Sequence, residues 1–124
     1  MAKFASDTVM DAALGVVDNA TRLVVTSAQP ANFAGIAAVA LADVTMTAGA
    51  GNGDYTLANG DTSGRKLTVA AQSAVPIDSS GTATHVCLDD GTTLLYCTTC
   101  TSQALTAAGT VDVPAWDIEI ADPS

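Results

Sequence analysis

The chain reads as a mainly β protein, an antiparallel β-sandwich or β-barrel preceded by one N-terminal α-helix. Three observations predict this. Turn dipeptides recur at Asn59-Gly60, Ser80-Gly81, Asp90-Gly91 and Ala108-Gly109, cutting the chain into short, regularly spaced β-rich runs. Between Thr82 and Thr99, two such runs flank Asp89-Asp90-Gly91-Thr92, and Asp-Gly supplies the positive φ angles of a tight hairpin turn. The amphipathic helix signal lies at the start, where Val9, Met10, Ala13, Leu14 and Val17 recur at helical spacing.

With 124 residues, the chain fits one domain that buries roughly two-thirds of its unfolded surface. Its expected parts are a flexible N-terminal arm (1–5), a helix (6–19) and a β domain (22–121). The arm carries Lys3 and Phe4, and either stays mobile or docks Phe4 on a neighbour. Ser6 or Asp7 caps the helix, which ends near Asp18-Asn19 with Asp11 and Asp18 on its wet side. Arg22 to Ser27 is a β-branched run that must stop before Gln29-Pro30, and reads as a buried strand. Asn32 opens a helical turn that tucks Phe33 and Ile36 inward. Val39 to Met46 alternates as a strand if a bulge sits at Ala42-Asp43. Gly49 to Asp54 reads as a flexible surface loop, and Tyr55 to Ala58 as a short strand or turn.

Arg65 to Ala71 is the clearest half-exposed strand, with Leu67, Val69 and Ala71 on one face and Lys66 and Thr68 on the other. Pro76 confines Val75-Pro76-Ile77 to an edge or a bend. In the hairpin, a loop that pairs Leu88 with Thr93 would place Val86, Leu88, Leu95 and Cys97 on one face and His85, Cys87, Leu94 and Tyr96 on the other. Both faces would then be largely apolar and need cover. Near the C-terminus, Val111 and Val113 share one parity while Trp116, Ile118 and Ile120 share the other. A bulge at Pro114-Ala115 lets both halves face one core, with Asp112, Asp117 and Glu119 outside and Trp116 as core anchor.

Charged residues are only 14% of the chain, yet the formal net charge is -9, with Lys3, Arg22, Arg65 and Lys66 the only cations. Such a surface neither tracks phosphates nor attracts anionic lipid, so nucleic acid and membrane are not expected partners. No segment has the apolar length of a transmembrane helix, and Asp7 and Asp11 interrupt what would be a signal peptide's apolar region. Cys87, Cys97 and Cys100 are an odd number, which fits a reducing cytoplasm.

Residue patterns that hint at chemistry are incomplete. Cys97-Thr98-Thr99-Cys100 has C-x-x-C spacing but no second ligand pair for zinc, and it does not open a helix that would lower a thiol pKa. Gly49 to Asp54 lacks the third fingerprint glycine, the following helix and the lysine of a phosphate-binding loop. His85 and Cys87 share a strand face, without an acid or an oxyanion donor to complete a nucleophilic site. No catalytic, cofactor or metal residue is therefore assigned. The residues expected at an interface are Lys3, Phe4, Arg65, Lys66, Asp117 and Glu119, with Arg65 and Lys66 bridging to the acidic C-terminal strand in the same or a neighbouring subunit.

Gly60-Asp61-Thr62-Ser63-Gly64-Arg65-Lys66-Leu67-Thr68-Val69, Gly81-Thr82-Ala83-Thr84-His85-Val86 and Pro114-Ala115-Trp116-Asp117-Ile118-Glu119-Ile120 carry a likeness, with Asp11-Ala12-Ala13-Leu14 and Asn19-Ala20-Thr21-Arg22. Over nearly the whole chain they resemble a family of small virion structural proteins of tailed bacteriophages. The resemblance implies a non-enzymatic part of the particle, made in the host cytoplasm. The expected role is a decoration or cement protein on the head exterior, touching the major capsid protein and copies of itself as a trimer or dimer. A tail or neck component, or a host-surface binding module, is the alternative.

Overall fold

The computed structural model describes residues 4–123 and confirms a mainly β, antiparallel fold behind one N-terminal helix. Helix α1 (Asp7–Val17) is followed by strands β1 (Arg22–Thr26), β2 (Ala40–Thr45), β3 (Tyr55–Asn59), β4 (Arg65–Val69) and β5 (Gln72–Pro76). Next come β6 (Gly81–Asp89), β7 (Leu94–Leu105), β8 (Thr110–Val113) and β9 (Trp116–Ile120). A 3₁₀ turn (Phe33–Gly35) and a four-residue helix α2 (Ile36–Val39) interrupt the connection from β1 to β2.

The strands form three antiparallel sheets ordered β2-β1-β6-β7, β3-β4-β9 and β5-β8. One face of the large sheet contributes Leu23, Val25, Val86 and Leu88 to a core shared with Tyr55, Leu67, Val69, Val75, Val113 and Ile118 of the smaller sheets. This is a sandwich-like arrangement, because each sheet has one apolar face that only the others can cover. At one corner the large sheet continues into the β5-β8 pair through a bridge between Ala42 and Ile77. At the opposite corner no bridge joins β7 to β8 or β9 among the described residues.

Strand β1 is buried on both faces. Leu23 and Val25 face the core, while Val24 and Thr26 on the other side are equally inaccessible. The connection from β1 to β2 explains how. It leaves at Thr26, reaches the far end of the sheet where Ala31 to Ala34 lie beside Thr92, Thr93 and Leu94, and returns so that Ser27 N–H donates to the Val39 carbonyl at 3.0 Å. Asn32 caps the 3₁₀ turn through Oδ1, which accepts from Gly35 N–H at 2.9 Å. Ile36 is buried and Phe33 half-buried, as the sequence predicts.

The structure alters five expectations. The hairpin register differs: Leu88 pairs with Tyr96 and Cys87 with Cys97, and Asp89 pairs with Leu94 across a bulge at Leu95. Val86, Leu88 and Tyr96 therefore share the core face, and Cys87, Cys97 and His85 the other. The cause is Asp90, whose Oδ1 accepts from the Thr92 and Thr93 amides at 2.9 and 2.7 Å and moves the four-residue loop one position on, to Asp90–Thr93, while the Leu95 bulge adds a further shift. The bulge in β2 falls at Leu41, one residue before the expected site, so Leu41 and Ala42 both point inward.

Helix α1 presents its stripes differently from expectation. Ser6 is the N-cap, its Oγ accepting from Val9 N–H at 3.3 Å, and Met10 and Leu14 are buried. Val9 and Ala13 point to solvent, whereas Asp18 is only 6% exposed and Asp11 binds Arg65 at 2.7 Å. Burial raises the Asp18 carboxyl above its ordinary value, opposed by a hydrogen bond from the Ala50 backbone. Finally, the Gly49–Asp54 loop is tied down: Gly49 N–H donates to the Asp18 carbonyl at 2.8 Å, and Asp54 Oδ2 accepts from Thr47 N–H at 2.6 Å.

Tyr55 is the buried anchor where the sequence expects Trp116. It is fully inaccessible, and its hydroxyl donates to the Ala20 carbonyl at 2.9 Å, stitching β3 to the segment after α1. The shift at Pro114-Ala115 occurs as expected, and the same break moves the chain from the β5-β8 sheet to the β3-β4-β9 sheet.

Candidate interaction surfaces

The expected interface residues divide into two groups. Phe4 is 87% exposed, the most accessible large apolar side chain among the described residues, and Lys3 lies outside them. Val9 and Val16, seven residues apart on the outer side of α1, are also exposed, with Ala12 and Ala13 between them. Helical geometry places these four residues in one stripe opposite the buried Met10 and Leu14. The outer side of the helix is thus apolar and uncharged. Sequence periodicity misses this because Val9 and Ala13 fit the inward stripe nearly as well.

Lys66, Asp117 and Glu119 lie on the outer face of β4 and β9, whereas Arg65 shares the inward parity of Leu67 and Val69 and turns to α1. Arg65 Nε donates to Asp11 Oδ1, so its main partner is α1 and not the C-terminal strand. Lys66 Nζ lies 2.7 Å from Asp61 Oδ1 and 3.7 Å from Asp117 Oδ2. The Asp61 carboxylate, with help from Asp117 and Glu119, holds the Lys66 ammonium above its ordinary value. Asp117 Oδ1 accepts from Thr68 Oγ1 at 2.8 Å, and Glu119 Oε1 accepts from Asp61 N–H at 2.6 Å. Gly64 makes this packing feasible, since it adopts φ +73° and any β-carbon there would collide with the Ile120 carbonyl. These charges are set against one another within the chain.

A second ion pair was not legible in the sequence. Asp89, expected in the turn, is the last residue of β6 and fully buried. Its Oδ2 accepts from Arg22 Nε at 2.9 Å and its Oδ1 from Gly91 N–H at 2.9 Å. A carboxylate inside a β pair is tolerated because both oxygens are satisfied. Beside it, burial and then the neighbouring Asp78 carboxyl push Asp43 above the usual carboxylate range, and Arg22 opposes the shift.

The cysteines divide between the two sides of the large sheet. Cys87 and Cys97 face each other on the back of the large sheet, with sulfurs 3.0 Å apart, and Cys100 packs against the core on the other side. The C-x-x-C pair therefore points two ways. Burial first, then Cys97, pushes the Cys87 thiol up to about 12. His85 Nδ1 is 2.8 Å from Thr84 Oγ1, whereas Cys87 Sγ contacts Cys97 and Thr26. No group of three or more His, Cys, Asp or Glu could hold a metal ion among the described residues. Among those residues no helix is long and apolar enough to cross a membrane.

The open corner between β7 and the β8–β9 segment holds two adjoining hollows of about 250 Å³ each. They share Val86, Cys100, Val113 and Pro114, so they form one groove that bends where three residues of β7, Cys100 to Ser102, face the single Thr84 of β6. Its floor is apolar: Val25, Ala83, Val86, Leu105 and Val113 are buried. Asp112 and Asp117 stand on the rim, and no cationic residue lines either hollow. At one end the Trp116 ring stacks on Tyr96 with centroids 5.9 Å apart. The indole Nε1 is buried without a hydrogen-bond partner, alone in this among the side-chain polar atoms of the described residues.

Comparisons with family models, with curated proteins and with solved structures match none of them to this chain.

Proposed function

We propose that the protein is a structural component of a tailed-bacteriophage virion, acting as a decoration or cement protein on the head exterior. The observation that supports this reading most is the apolar surface at the N-terminal end. Phe4, Val9 and Val16 are exposed at 87%, 63% and 56% in a chain that otherwise buries its large aliphatic residues. Uncovered apolar groups of this size mark a surface that works against a partner. The outer β4/β9 face, where Lys66 is set against Asp61, Asp117 and Glu119, adds an exterior with more carboxylates than cations, and the sequence likeness to small virion proteins supplies the setting. The partner on this reading is the major capsid protein, with further contacts to copies of the same chain.

The test is quantitative mass spectrometry of purified particles, comparing this chain with the major capsid protein in full virions and in detached tails. A ratio near one copy per capsid subunit, with none in tails, supports the decoration role. A few copies that travel with tails would move the protein to the tail or neck.

A further inference from the structure

The groove between β7 and β8–β9 lacks what would complete it as a closed corner. Strand β7 is paired on one side only, by β6, and its other backbone edge borders the groove. Its floor is apolar, and no cation lines it, while its lining includes two carboxylates: Asp112, which accepts from the Ala74 amide, and Asp117, which accepts from Thr68 and lies 3.7 Å from Lys66. An occupant suited to it supplies backbone hydrogen bonds, apolar side chains and, for a chain of net charge -9, positive charge. One chemical class supplies all three.

We propose that this groove is a binding slot for an extended, basic segment of another protein, which adds as a strand beside β7. Recognition by strand addition draws affinity from the backbone and selectivity from alternate side chains. The edge from Thr98 to Leu105 spans about 26 Å at ~3.3 Å per residue, enough for a segment of about eight residues. Apolar side chains of the segment enter the two hollows. Lysine or arginine on the alternate positions meets Asp112, which also accepts from the Ala74 amide, and adds to Lys66 beside Asp117. A strand donated by a second copy is disfavoured by the net charge of -9 on each chain. Phe4, Val9 and Val16 line neither hollow, and this inference does not rest on the virion reading.

The chain has one tryptophan, so its indole N–H gives a single resonance that reports directly on the slot. The probes are three capped octapeptides: alternating valine and lysine, alternating valine and glutamate, and the valine–lysine peptide N-methylated at every second residue. The valine–lysine peptide should move the indole resonance, because Trp116 lines one of the hollows. It should also bind about tenfold tighter than the glutamate peptide, the gain of two exposed ion pairs. N-methylation should abolish binding by removing the ladder. Replacing Asp112→Asn together with Asp117→Asn should erase the preference for lysine while leaving strand-like binding in place. Three outcomes would overturn the proposal: an unmoved indole resonance at millimolar peptide, equal binding of the glutamate or N-methylated peptide, or a dimer in solution whose second copy fills the groove. The peptide comparison on the unaltered protein decides the matter even if the double variant fails to fold.

Discussion

The large sheet meets the smaller strands at two corners, and the chain treats them in opposite ways. At the β2/β5 corner, Ala42 bridges Ile77, and the Leu41 carbonyl accepts from the Asp78 and Ser79 amides at 2.8 and 3.1 Å. Gly81 leaves only enough room for the Leu41 side chain to pack against its backbone. At the β7/β8 corner the backbone edges do not meet. There the contact is an aromatic stack, and a buried donor is left without an acceptor. One corner is finished by the chain itself, and the other awaits a strand from outside. The difference arises from sequence: β2 reaches its corner through a bulge that turns Leu41 and Ala42 inward together, whereas Pro114 lacks the N–H with which that position could pair to β7.

Breaking the closed corner should have the largest effect. Leu41→Ala removes a buried side chain from the core and should cost about 2–5 kcal/mol, read as a lower midpoint in urea unfolding. Next comes Asp89→Ala, which strips Arg22 and the Gly91 amide of their acceptor and should cost about 1–3 kcal/mol in the same experiment. Both losses fall on strands that the large sheet pairs internally.

A change of pH sharpens the comparison, because Asp43 sits beside Asp78 at the closed corner. Its folded-state pKa lies above the unfolded value of 3.8, so the folded protein binds the proton more tightly. This contribution is fully present below 3.8 and is lost as pH rises through the folded value. Asp18 behaves in the same sense. Stability should therefore rise as pH falls from neutrality toward about 4. Asp90, whose pKa is lowered by the hairpin amides, sets the acid limit, because its contribution is lost as pH falls through its own value. Thermal melts of Asp43→Asn should show a shallower rise than the unaltered protein. The smallest effect is expected at the open corner, where Gln103→Lys on the exposed β7 edge should change stability by less than about 0.5 kcal/mol while weakening a basic peptide.

Much of the closed architecture was legible in the chain. Alternation in Arg65 to Val69, the β-branched run Arg22 to Thr26 and the parity change at Pro114-Ala115 each report local geometry, which period and proline chemistry encode directly. The hairpin register was not, because Asp89 and Asp90 are adjacent and identical in type. One is a buried partner of Arg22 and the other an exposed loop cap, and only the third dimension separates them. Likewise Tyr55 follows a glycine-rich loop that reads as surface, and its burial depends on the Ala20 carbonyl 35 residues away. The open groove is a missing contact between distant strands, for which local pattern carries no signal. Of the expected interface residues, Phe4 is exposed, while Arg65, Lys66, Asp117 and Glu119 mostly satisfy one another and neighbouring groups.

Residue-resolved amide hydrogen exchange of the protein alone shows whether the chain pairs one corner of its sheet and leaves the other unpaired. The β1 and β6 amides should exchange only with global unfolding, the Ala42 and Ile77 bridge should be protected nearly as well, and the β7 amides between Thr98 and Leu105 without a β6 partner should exchange quickly. Equal protection of those β7 amides and of the facing β8 and β9 edge would contradict this, since the second corner would then be closed by hydrogen bonds of the chain itself.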